Sequence, residues 1–154
     1  MEMTETTMRA LALAGGYITV GIAAIGSAIG SGIAGSSAIG AWKKCYAQNK
    51  PAPFLLMALA GAPLSQTIYG MIILVLIKGK LDTAANLSLW PLYLAFGVFG
   101  GIGMMFSAIY QGKAAACGCD AFAETGKGFA NYIMILGIVE TVAIFALVFA
   151  ILAM

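Results

Sequence analysis

Residues 129–153 read FANYIMILGIVETVAIFALVFAILA, an apolar run with no basic residue and a single acidic one, Glu140. A bilayer core about 30 Å thick takes about 20 apolar residues of helix, so this run is long enough to cross one. Strands do not fit, because an open sheet would leave peptide groups unpaired in lipid and the short alternating segments of a membrane barrel are absent. Working outward, three more runs of the same kind are bounded by charged or turn-forming residues. One extends roughly from Ala10 to Trp42, between Arg9 and Lys43-Lys44, and its length predicts that it projects beyond the bilayer. Another extends from about Pro53 to Ile77, punctuated by Pro51 and Pro53 at its start and by Lys78 and Lys80 at its end. The third starts near Leu89, after the polar stretch Asp82 to Ser88, and continues past Gln111 into Ala114-Ala115-Ala116. The pattern predicts an all-α membrane protein of four transmembrane helices.

Composition agrees. Of 154 residues, 62% are hydrophobic and 9% charged, where a soluble domain carries about 25% charged residues. One domain of this size cannot bury so much apolar surface in a core of its own, so the surplus must face lipid. A net charge of +2 with no basic tract excludes electrostatic binding of nucleic acid. Three cysteines, none in a CxxC pair, give neither a disulfide framework nor a zinc signature, and Cys117 and Cys119 read as small packing residues. A cleaved signal peptide is the competing reading of the first run, but Glu2 and Glu5 precede it and it is too long for such a segment. Lys43, Lys44, Lys50, Lys113 and Lys127 fall after helices one and three, against Arg9, Lys78 and Lys80 on the other side. That bias predicts cytoplasmic loops between helices one and two and between three and four, with both termini on the opposite side of the cell membrane.

The chain also repeats itself. Laying Gln66-Thr67 on Glu140-Thr141 lays Gly26 on Gly100. One membrane domain over 1–154 is therefore expected to consist of two tandem hairpins, 10–78 and 89–153, which enter the bilayer in the same direction, unlike inverted transporter repeats. In the first helix Gly26, Gly30, Ala34 and Ala38 recur every turn, as do Gly32, Ser36 and Gly40. Small residues at that spacing let helix backbones approach in lipid, which fits a tightly curved assembly or an ordinary monomeric bundle equally well. No strand precedes these glycines and no acid follows to meet a ribose, so they are not a dinucleotide fingerprint.

Glu140 lies about 16 Å into its helix, near the membrane middle. A carboxylate there costs about 2.5–3.5 kcal/mol even on insertion scales, so it must be protonated, paired or bound to a metal cation. The other spans carry no interior basic residue, although Lys113 near the end of helix three has the length to snorkel. Polar oxygens remain. Helix two places Ser65 and Gln66 at about the same depth, with Tyr69 one turn onward on the same face, and helix three contributes Gln111. A proton needs one acceptor, whereas a hard cation prefers several oxygens. Pro63, lacking an N–H, is expected to leave the Leu59 carbonyl without a helical partner and to bend the helix near Ala62, freeing backbone oxygen for the site. Singly, a Gln or Ser in a membrane helix is more often interhelical glue. Their meeting at one depth with an intramembrane acid favours an ion site.

The stretches PLSQTIYG (Pro63 to Gly70), SAIYQGKAAACG (Ser107 to Gly118) and IVETVAIF (Ile138 to Phe145), with the length and the glycine-rich first helix, resemble the four-helix proteolipid of V-type ATPases, subunit K or c, in its bacterial sodium-pumping form. The resemblance implies that Glu140 is the ion carrier and that Gln66, Gln111, Ser65 and the backbone carbonyl of Ala62 complete a Na⁺ site. Ser65 stands where Thr is usual and keeps the oxygen. Tyr69 corresponds to a tyrosine that hydrogen-bonds the carboxylate and closes the site. It implies Na⁺, with H⁺ as the alternative, as the carried ion, no organic cofactor, and a homo-oligomeric rotor ring of about ten copies. Beside the ring would stand a stator subunit with two half-channels and an arginine, and on it a central-stalk subunit, met through the loops around Lys43 to Lys50 and Ala116 to Lys127. The chain would itself be no enzyme. It lacks a GxxxxGK[ST] loop, and Gly126-Lys127-Gly128 has neither the glycine spacing nor the hydroxyl that cradle phosphate. A small proton-coupled antiporter would place its acid, among stacking aromatics, in the first helix, which has no acid between Ala10 and Trp42. A purely structural membrane protein would leave Glu140 and its oxygens without a role.

Overall fold

The computed structural model describes residues 3–82 and 84–154; Met1, Glu2 and Thr83 lie outside the described residues. Four helices are long and apolar enough to cross a membrane: α1 (Glu5–Ala47), α2 (Leu56–Lys80), α3 (Trp90–Thr125) and α4 (Phe129–Ala153). A single turn of helix, Ala84–Leu87, sits between α2 and α3. Among the described residues there is no strand, so the protein is an all-α, multi-pass membrane protein.

The helix ends follow from local chemistry. The Thr4 side chain caps α1 by accepting from the Thr7 N–H at 3.3 Å. At the far end Asn49 takes a positive φ of 51° and turns the chain, while Trp42 Nε1 donates to the Pro53 carbonyl at 2.8 Å and pins the start of α2. Pro91 occupies the first turn of α3, where its missing N–H costs nothing. Two glycines at φ +64° and +83°, Gly126 and Gly128, make the tight reversal from α3 to α4, which few other residues would tolerate.

Helices α1 and α3 are longer than the apolar runs suggested. α1 has 43 residues, about 64 Å, and starts before and ends after the stretch from Ala10 to Trp42. α3 does not stop at Ala116 but runs on to Thr125, so the connection to α4 shrinks to Gly126–Gly128. At and beyond the expected ends, Ala41 and Cys45 of α1 are buried with Cys119 and Phe122 of α3, and exposed ion pairs lie beside them. Lys44 on α1 bonds Asp120 on α3 at 2.9 Å and lies 3.9 Å from Glu124. At the opposite end Arg9 lies 3.8 Å from Asp82 and donates to the Leu81 carbonyl. The extension also corrects the position of Lys113. It lies well inside α3, two residues beyond Gln111, exposed, with its ammonium 4.7 Å from the Tyr110 ring centroid.

The centre of the bundle is the contact of α1 with α3, and glycine makes it possible. A methyl group at Gly30 would overlap the Ala108 carbonyl and come within 2.9 Å of Pro63 Cβ. Gly112 faces the Gly30 backbone, Gly97 faces Gly15, and Gly26 faces Met105. Close backbone approach supplies the dispersion contacts that must hold helices together where lipid removes the hydrophobic force. Other glycines of α1, among them Gly21, Gly32 and Gly40, meet nothing within 4 Å in the chain and lie on its outer surface. α4 is the least enclosed helix. It packs on α3 and α2 along one stripe, Leu136, Ala143 and Ala150, and leaves residues such as Ile138, Val142, Phe145, Phe149 and Leu152 exposed.

Gly30→Ala should lower the stability of the bundle in dodecyl sulfate unfolding by about 1–3 kcal/mol, because neither the Ala108 backbone nor Pro63 can move aside cheaply. In the dissociated single chain Gly32→Ala, which faces open space, should not lower it. Equal effects of the two substitutions would remove clearance between α1 and α3 as the organising contact.

Candidate functional site

Helical spacing brings polar side chains of three helices to one level. On α2, Gln66 and Tyr69 are three residues apart and share a face. On α3, Ser107 and Gln111 are four apart, and on α4 Glu140 follows Leu136 by one turn. Gln66 and Gln111 are fully buried, Ser107 is nearly so, and Glu140 is half-buried on the flank of the bundle.

Both carboxylate oxygens of Glu140 accept. Tyr69 Oη donates to Oε1 at 2.5 Å, and Gln111 Nε2 donates to Oε2 at 3.1 Å. The same Gln111 amide nitrogen donates to the Leu136 carbonyl at 3.1 Å, tying α3 to α4 twice. Gln66 Nε2 donates to Gln111 Oε1 at 2.9 Å and to Ser107 Oγ at 3.3 Å. Ser65 Oγ lies 3.2 Å from both the Ala62 carbonyl and Gln66 Oε1. The six residues singled out from the sequence, Ala62, Ser65, Gln66, Tyr69, Gln111 and Glu140, thus form one connected set. Among the described residues Glu140 makes no ion pair, and both of its carboxyl oxygens are met by neutral hydrogen-bond donors. A buried amide in a membrane interior needs acceptors, and Gln66 and Gln111 each find two for their NH₂ groups.

One expectation is corrected. The Leu59 carbonyl is not left open by Pro63: the Ala62 N–H donates to it. The chain tightens into a 3₁₀ turn over Ala62–Leu64, which recovers that bond by pairing three residues apart instead of four. In the same turn the Ala62 carbonyl accepts from the Ser65 N–H and lies within reach of its hydroxyl. Its oxygen reaches the set through Ser65 and is not a bare orphan.

Ser107 was not singled out from the sequence. It donates to the Val139 carbonyl on α4 at 3.0 Å while accepting from Gln66. The signal available was its place one turn before Gln111, on the face that Gln111 shows had to be polar. Thr141, although beside Glu140, is outside the set: it is exposed and returns its hydroxyl to the Ile138 carbonyl at 2.6 Å.

Residues 94–153 match the family of ATP synthase C subunits. Across 143 residues the chain is 34% identical to the A-type ATP synthase subunit K of Methanocaldococcus jannaschii, an alignment that covers 92% of this chain and 60% of that protein. The chain spans less than two thirds of that relative's length. The family match covers α4 and most of α3, hence Ser107, Gln111 and Glu140, and the alignment with a subunit K covers nearly all of the chain. The second half of the chain is thus similar to ATP synthase C subunits, and nearly all of it to an A-type subunit K.

Proposed function

We propose that this chain is the ion-carrying subunit of the membrane rotor of a rotary ATPase, and that the ion is Na⁺. The observation that carries the reading is the half-buried Glu140 carboxylate, deep in the apolar belt, covered by Tyr69 and Gln111 and backed by the amide and hydroxyl oxygens of α2. A proton would need a single acceptor. Two amides, a hydroxyl and the Ala62 carbonyl offer the several neutral oxygens that a hard cation prefers, with one negative charge to balance it. Sodium as cargo would be held by oxygens of Glu140, Gln66, Gln111, Ser65 and Ala62, with Tyr69 fixing the carboxylate from outside.

Transport follows from the cost of charge in lipid. Copies of the chain close into a ring, and Glu140 facing hydrocarbon is tolerable only when neutralised by its ion. Opposite an arginine of a stator subunit it can release the ion and remain charged, so rotation and ion transfer proceed together. The outer glycine face of α1 and the exposed flank of α4 suit contact with further copies. ATP is hydrolysed on other subunits, and a central-stalk subunit meets the cytoplasmic end where Lys44, Asp120 and Glu124 cluster. With Gln66 standing where the first hairpin could carry a second acid, each four-helix chain carries one ion. Moving one charge across 100 mV takes about 2.3 kcal/mol, so fewer ions per turn sustain a steeper gradient for the same ATP.

Purified rings should bind radioactive sodium, and Glu140→Gln should abolish that binding while leaving the oligomer intact on gels. Sodium uptake unchanged by Glu140→Gln would sink the site assignment. Gln111→Ala should weaken sodium binding more than assembly; matching losses would make Gln111 interhelical glue. Tyr69→Phe uncovers Oε1 and should speed modification of Glu140 by dicyclohexylcarbodiimide, with added NaCl slowing the reaction. A rate indifferent to both would place neither Tyr69 nor sodium at the carboxylate.

A further inference from the structure

The hydrogen bonds at the site have a direction, and it is set outside the set of ion ligands. Leu136 offers only a carbonyl, and Glu140 Oε2 accepts beside it, so Gln111 turns its NH₂ group toward α4. Its carbonyl oxygen then faces Gln66 and accepts with one lone pair from an N–H there, at 2.9 Å, which leaves the second lone pair for the cation. Ser107 also calls for an N–H, from a second position. Its single hydroxyl hydrogen is engaged by the Val139 carbonyl at 3.0 Å, so toward Gln66 it presents lone pairs alone, 3.3 Å from Nε2. With the NH₂ of Gln66 held by two acceptors on α3, its Oε1 is directed the other way, to the side of Ser65 Oγ and the Ala62 carbonyl.

We infer that Ser107 is a positioning residue for the ion site: through its bonds to Val139 and Gln66 it fixes the Gln66 amide with oxygen toward the cation. A flipped amide would put two N–H groups among the oxygens of Ser65 and Ala62, where they would repel a cation. Ser107 does not touch the ion in this account. It is nearly fully buried, 4% exposed, and its anchor is a main-chain carbonyl adjacent to Glu140, so the lock and the carrier carboxylate ride on the same turn of α4. The inference rests on the sodium reading for its affinity readout, but the amide orientation can be tested without it.

The test uses detergent-solubilised rings of the full chain carrying Ser107→Ala or Ser107→Thr. Loss of an outer partner of a metal ligand typically weakens binding about tenfold or more, and Ser107→Ala should weaken sodium binding by about that factor. Ser107→Thr, which keeps the hydroxyl, should stay close to the unsubstituted ring, and both rings should resist dissociation on gels as the unsubstituted ring does. Wild-type affinity in Ser107→Ala would overturn the inference. So would equal losses in both variants together with weakened rings, which would assign Ser107 to packing. Should the unsubstituted ring bind no sodium, the sodium reading itself fails. The lock is then judged by solid-state NMR of rings labelled with ¹⁵N at glutamine side chains. A Gln66 NH₂ signal that loses its through-space contact with α3 in Ser107→Ala supports the lock, and an unchanged contact refutes it.

Discussion

A carboxylate held at half-depth in a bilayer constrains everything around it. Glu140 cannot remain there unless the protein or a passenger answers its charge, and no lysine or arginine is paired with it among the described residues. What the protein itself supplies is a set of neutral dipoles from α2 and α3, which in turn must have their own donors and acceptors satisfied because no bulk water is available. That second demand recruits Ser107, the Leu136 and Val139 carbonyls and the 3₁₀ turn at Ala62–Leu64.

Such a set needs a firm support, and α1 provides it without contributing a side chain to the hydrogen bonds just described. Its glycines bring its backbone against α3 and, at Gly30, against Pro63, the residue that begins the polar stretch of α2. Replacing clearance by side chains at these positions would push α2 and α3 apart at the level where Gln66 must reach Gln111. Close packing on one side of the bundle and polar contact on the other are therefore parts of one arrangement.

Much of this was legible in the sequence because lipid leaves few options. Twenty or so apolar residues between charges can only be a helix, and a lone acid inside one must find partners at its own depth, which pointed to Ser65, Gln66, Tyr69 and Gln111. The limits were equally physical. Hydropathy reports where lipid ends, not where a helix ends, so the flanks of α1 and α3, where Lys44 meets Asp120, were underestimated and Lys113 was placed too near a terminus. A proline's effect on its neighbours was read one bond short, since the backbone can re-pair within a tighter turn, as Ala62 does with Leu59. Ser107 was missed because a serine among small residues carries no pattern of its own; only the partner across the interface reveals it.

The seam of α4 leaves the bundle lopsided. Leu136, Ala143 and Ala150 are its buried side chains, with Phe129, Tyr132, Ala146 and Leu147 partly buried beside them, while α1 and α3 meet backbone to backbone. The helix that bears the carboxylate is thus the one with the most surface turned outward, and the bonds from Tyr69 and Gln111 to Glu140 and from Ser107 to Val139 run from the enclosed interior to that rim.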